Sequence, residues 1–194
     1  MEKVIKAVLQ EYYIIADCDE RNWITREEIP LHSNTQVVGS PTELEGGAVL
    51  SPPVVTSKIK NVEGDLIYTM SGSVYKLGEM HKDYKAFIEA KEKNIPIVIW
   101  WCLFVSNTKG AIFSGNLITE DHEFVYGKID SMDLEKNLVT LESGDIYYVH
   151  WINMSLEVDA FRTFGMQYPD GEWLTMDKLS NYGFAEKCKL KTFS

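Results

Sequence analysis

Two stretches of the chain read as one β-hairpin written twice. Lys58-Ile59 through Val62, Leu66-Ile67-Tyr68, Ser71-Gly72 and Val74-Tyr75-Lys76-Leu77 are answered by Lys128-Ile129 through Met132, Leu138-Val139-Thr140, Ser143-Gly144 and Ile146-Tyr147-Tyr148-Val149. Self-similarity of this kind limits what a chain can be built from. A two-residue loop needs positive φ at one or both central residues, which glycine supplies without steric cost. Each Ser-Gly pair sits between β-branched and aromatic residues that suit a pleated surface. The upstream strands align only with a gap of two residues, so a duplication and two unrelated hairpins with a common turn both remain open.

A chain of 194 residues supports one sizeable core or two small packed units. The hydrophobic content of 45% excludes wholesale disorder, and the 12% of aromatics favours sheet. Its longest apolar run, Ile95 to Val105, falls short of the ~20 residues that span a bilayer. Lys6, Gln10 and Glu11 interrupt any apolar signal-peptide core, which predicts a cytoplasmic protein. Cys18, Cys102 and Cys188 form no CxxC or His-paired spacing, so reduced thiols and no zinc are expected.

Coarse patterning fills in the elements. Val4, Ile5, Val8, Leu9 and Tyr12 predict an amphipathic helix by their i, i+4, i+8 stripe. Residues 30–53 read as a long irregular connection, with at most one helical turn opened by Ser40-Pro41-Thr42-Glu43. Met80, Tyr84, Phe87, Ile88 and Lys91 mark a second helix, stopped by Asn94 and Pro96. Ile95–Val105 and Ala111–Ile118 read as strands, Phe124–Ile152 as the second β unit, and Lys187–Phe193 as an edge strand whose lysines discourage association. Val158, Phe161 and Phe164 suit a short helix, and Pro169-Asp170-Gly171 a tight turn. The expected fold is α+β and mostly antiparallel, with two small β-hairpin or barrel-like units and short flanking helices. Residues 1–94 would hold the first helix, the irregular segment, the first β unit and the second helix. Residues 95–194 would hold the central strand, the second β unit and the C-terminal segment, and the two could form one compact domain.

Charge is unevenly spread. Of the net −10, residues 17–45 hold seven acids against two bases and residues 120–145 eight against two. Nucleic-acid phosphates require a basic footprint, so direct binding to nucleic acid is not expected. Carboxylates could instead meet a basic protein surface, with steering that weakens as salt rises. Asp19, Glu20, Glu27, Asp121, Glu123 and Asp130 are the candidate partner-facing residues. Acidity that only maintains solubility explains the same count.

Asp17 to Glu28 resembles a calcium-binding EF-hand loop, with acids at positions one, three and twelve and an apolar eighth residue. It departs from that loop at the fifth position, Arg21, and the sixth, Asn22, and Pro30 cuts off the exiting helix. Thr25 and Glu28 suit a capping box instead. No metal ligands and no cofactor are therefore assigned. Catalytic patterns are sparse: GxSxG, Walker-type, GxGxxG and HExxH motifs are absent. The acids of Glu120-Asp121-His122-Glu123 could make His122 a base, but the segment reads as a solvated turn and no catalytic residue is assigned. A small-ligand site remains an alternative, on an aromatic sheet face made by Tyr147, Tyr148, His150 and Trp151. Trp23, in an acidic loop, ranks first among exposed aromatic anchors. Adjacent Trp100 and Trp101 must point to opposite faces.

These patterns predict a non-enzymatic acidic interaction protein, an inhibitor or regulator that covers a basic, nucleic-acid-binding surface of another protein. The alternative is a binder of a metabolite or nucleotide on the aromatic face, and the third reading is an enzyme.

Overall fold

A computed structural model describes residues 4–19, 22–42, 53–106, 110–119, 121, 123–133 and 135–150, together with the backbone of 171–174 and 188–189. The chain divides into two compact units, Met1–Ile88 and Glu89–Ser194. Both are built on sheets that are mostly antiparallel. Helices are scarcer than the α+β expectation: among the described residues there is one α-helix, α1 (Lys82–Glu92), and one 3-10 turn, Ile29–Leu31.

Unit 1 holds β1 (Ile5–Ala16), β2 (Thr35–Thr42), β3 (Val54–Val55), β4 (Ile59–Glu63), β5 (Leu66–Thr69) and β6 (Val74–Leu77), in the order β3-β2-β1-β6-β5-β4. The expected first helix is thus a strand. β1 is central, antiparallel to β2 and parallel to β6, and buries residues on both faces, from Ala7, Val8 and Leu9 to Ile14, Ile15 and Ala16. Apolar residues on both faces, with a bulge between Gln10 and Tyr13 that shifts the alternation, produce spacing that imitates a helical stripe. The irregular connection is corrected as well. Thr35–Thr42 form β2, and Pro41 sits opposite Leu9 rather than opening a helical turn. Glu43 lies outside the described residues.

Unit 2 holds β7 (Ile97–Ser106), β8 (Gly110–Leu117), β9 (Phe124–Asp133), β10 (Leu138–Leu141) and β11 (Ile146–Val149). β7 pairs β8, β8 pairs β9, β9 pairs β10, β10 pairs β11, and β11 returns parallel to β7, closing a ring of five strands. Its interior is packed by Val98, Trp101, Leu103, Phe113, Val125, Ile129, Val139, Leu141 and Val149. β12 (Gly171–Leu174) adds to β7, and β13 (Cys188–Lys189) to β9. The helix expected at 158–164 and Pro169-Asp170 of the expected turn lie outside the described residues.

The two units follow the same path. Gly72 N–H donates to Thr69 C=O and Thr69 N–H to Ser73 C=O; Gly144 N–H donates to Leu141 C=O and Leu141 N–H to Asp145 C=O. Both loops therefore have three residues rather than two, with Gly72 and Gly144 at φ 84° and 91° in the left-handed position that closes such a turn. Met70 N–H reaches Lys58 C=O at 2.8 Å, and Glu142 N–H reaches Lys128 C=O at 2.9 Å. A bulge follows in each unit, at Lys60 and at Asp130. The two-residue gap falls in the β4–β5 and β9–β10 connections, which differ in length by that amount.

Candidate functional site

β9 alternates strictly over its first half. Val125 and Ile129 point into the ring, while Phe124 and Tyr126 remain 59% and 48% exposed. Gly127 takes the inward position between Val125 and Ile129, where a Cβ would come within 2.7 Å of Leu141 Cδ1. Being on alternate residues of one strand, the rings of Phe124 and Tyr126 share its outward face. Asp121 and Glu123, both exposed, lie on the connection into this strand, and Leu117 N–H holds it by donating to Glu123 C=O at 2.8 Å. Asp130 is the bulged residue: Leu141 pairs Ile129 and Thr140 pairs Ser131, which leaves Asp130 opposite no partner residue, exposed. Asp121 and Glu123 thus precede β9 and Asp130 lies toward its other end, with exposed Phe124, Tyr126 and Lys128 between them, Lys128 paired with Glu142 at 3.9 Å.

Trp100 lies two strands away on β7, with the buried Ile99, Cys102 and Ser114 around the intervening positions. Ile99 pairs Asn116, which pairs Phe124; Cys102 pairs Ser114, which pairs Tyr126. Trp100 lies between Ile99 and Cys102, two strands from both rings, and is 42% exposed while Trp101 is buried against Phe113. The adjacent tryptophans do occupy opposite faces.

The remaining acidic candidates lie in unit 1. Asp19 is half-buried in the turn after β1, where its N–H donates to Ala16 C=O; Glu27 is exposed; Glu20 lies outside the described residues. Glu28 accepts from Thr25 N–H at 2.8 Å, as its capping role predicts, and a strand rather than a helix precedes this segment. Trp23 is no exposed anchor. It is buried, edge-on to Tyr84 and Phe87, because β1 and α1 close over it.

The aromatic candidates of β11 separate. Tyr147 stacks on Phe113 at 6.3 Å; Tyr148 and His150 are buried, and His150 C=O accepts from Trp101 Nε1 at 2.7 Å. Burial first, then the Asp145 and Glu123 carboxylates, raises the Tyr147 phenol above its usual pKa. Trp151 lies outside the described residues, as does His122. A cavity of about 260 Å³ in unit 2 is lined by Lys91, Pro96, Ile97, Leu117 and Ile118, among others, and by none of these candidates. Among the described residues no three His, Cys, Asp or Glu side chains group as metal ligands, and no helix is long and apolar enough to cross a membrane.

Trp100, Phe124 and Tyr126 were not singled out as a site by sequence. Alternation of Phe124-Val125-Tyr126-Gly127 was readable, but which face turns inward depends on the ring. No family model, curated protein or solved structure matches the chain.

Proposed function

We propose that this is a non-enzymatic, cytoplasmic interaction protein, an inhibitor or regulator that covers a basic surface of another protein, and that its docking face is β9 of unit 2. The observation that carries this reading is the exposure of Phe124 and Tyr126 on a strand flanked by Asp121, Glu123 and Asp130. Carboxylates steer a basic partner and set the on-rate, and the aromatic rings supply the desolvated contact that holds it.

The test is a pull-down from the native host at low and high salt, repeated with two variants. Changing Asp121, Glu123 and Asp130 together to Lys should leave the melting temperature within a few degrees, since exposed carboxylates contribute little to stability. It should also abolish capture of the basic partner. The matching change of Asp19, Glu20 and Glu27 should weaken capture less. Undiminished capture by the first variant at low salt would eliminate the β9 face.

A further inference from the structure

Two strand edges in each unit lie outside the hairpins, and the chain's own segments show what such edges take. At the first, unit 1 sets Trp23 opposite Ile15 of β1, and unit 2 sets Trp173 of β12 opposite Phe104 of β7. These positions match: Ile15 pairs Gln36, three residues before Gly39, and Phe104 pairs Ile112, three before Gly115. At the second edge, unit 2 lays β13 along β9, with Cys188 opposite Met132 and Lys189 opposite Ser131. The matching edge of unit 1 belongs to β4. Counted from the bulges at Lys60 and Asp130, Asn61 and Val62 take the places of Ser131 and Met132. Among the described residues β4 pairs β5 alone.

The two edges are alike in backbone and opposite in charge. Glu63 and Leu66 close the two-residue connection Gly64-Asp65, so Glu63 and Asn61 turn their backbone groups to β5 and Val62 turns its N–H and C=O outward. Val62 is half-buried, and Lys60 and Asn61 are exposed. In unit 2 the bulge carries Asp130, next to the residue that pairs Lys189, in a segment that alternates lysine with Cys188, Leu190 and Thr192. In unit 1 the bulge carries Lys60. A lysine on an edge deters a strand as rich in lysine as β13, and favours one that brings a carboxylate across from it.

We infer that the outer edge of β4 is a docking site for an antiparallel strand of a protein partner, with an apolar residue opposite Val62 and a carboxylate opposite Asn61, beside Lys60. Main-chain bonds to Val62 hold such a strand, and its alternate side chains set the register. The site is independent of the β9 face, since it lies on unit 1 and selects the opposite charge.

The experiment measures binding of a fluorescent peptide, Glu-Val-Glu-Leu-Glu-Thr-Phe, to the full chain. This is the 187–193 sequence with its lysines made acidic and its cysteine made valine. The same peptide N-methylated at valine and leucine lacks the main-chain donors that reach Val62, and should bind about tenfold more weakly or worse. Lys60→Glu turns an exposed attraction into a repulsion and should lower affinity about fivefold to tenfold. Asp130→Lys, the reverse change at the matching bulge of unit 2, should leave it unchanged. The inference fails if the acidic peptide does not bind, if N-methylation or Lys60→Glu makes no difference, or if Asp130→Lys alters binding instead. A wild type that ignores the peptide and forms a dimer broken by Lys60→Glu would make a second copy the occupant, and overturn the acidic partner strand.

Discussion

Glu11 and Trp100 share one backbone conformation: each has φ 49°, each precedes a buried aromatic, Tyr12 or Trp101, and each lies opposite a glycine. Relief of that strain at Glu11 is the simplest test of the bulge. Glu11→Gly removes a penalty of roughly 1–2 kcal/mol and adds about 0.4–1 kcal/mol of unfolded-state entropy. A net gain of about 0.5 kcal/mol should appear in urea denaturation, and a clear loss would show that the Glu11 side chain stabilises unit 1.

The glycines opposite the bulges should be unequal. A Cβ on Gly115 would collide with Val98 Cγ1 and lie 3.0 Å from Trp101 Cβ, whereas on Gly39 the nearest atom is Leu9 Cβ at 3.1 Å. Overpacking a ring interior costs ~1–3 kcal/mol. Gly115→Ala should therefore lie toward the upper part of that range and Gly39→Ala toward the lower, both measured by chemical denaturation. Equal effects would mean that Val98 repacks freely.

Alkaline stability should depend on Tyr84. Its hydroxyl donates to Ile24 C=O at 2.6 Å, and burial pushes the phenol well above its usual range. Above the unfolded value of about 10 the native state binds the extra proton, so stability falls as pH rises toward the raised native value. Tyr84→Phe should be less stable at pH 7 by ~1–3 kcal/mol, because the buried Ile24 carbonyl loses its donor. It should also lose less stability than wild type between neutral pH and the alkaline range. Parallel pH profiles for the two proteins would place the alkaline transition elsewhere, with Tyr68 or Tyr147 as the other raised phenols.

Local chemistry fixed what local chemistry controls. The Ser71-Gly72 and Ser143-Gly144 turns, β7 and β8, the helix over 82–92 and the Thr25–Glu28 cap were all legible, because turn glycines, apolar runs and capping residues act within a few positions of themselves. β1 and β2 were not. β1 is buried on both faces at the centre of its sheet, and its parallel partner β6 pairs Ile5 with Val74, far along the chain, so its period is set by partners the local pattern does not contain. The same limit hid the exposed face of β9. Phe124 and Val125 are both apolar, and only closure of the five-stranded ring turned Val125 inward and left Phe124 in water. Trp100 and Trp101 differ by one position in the chain, and a bulge against Gly115 decided which became core and which became surface.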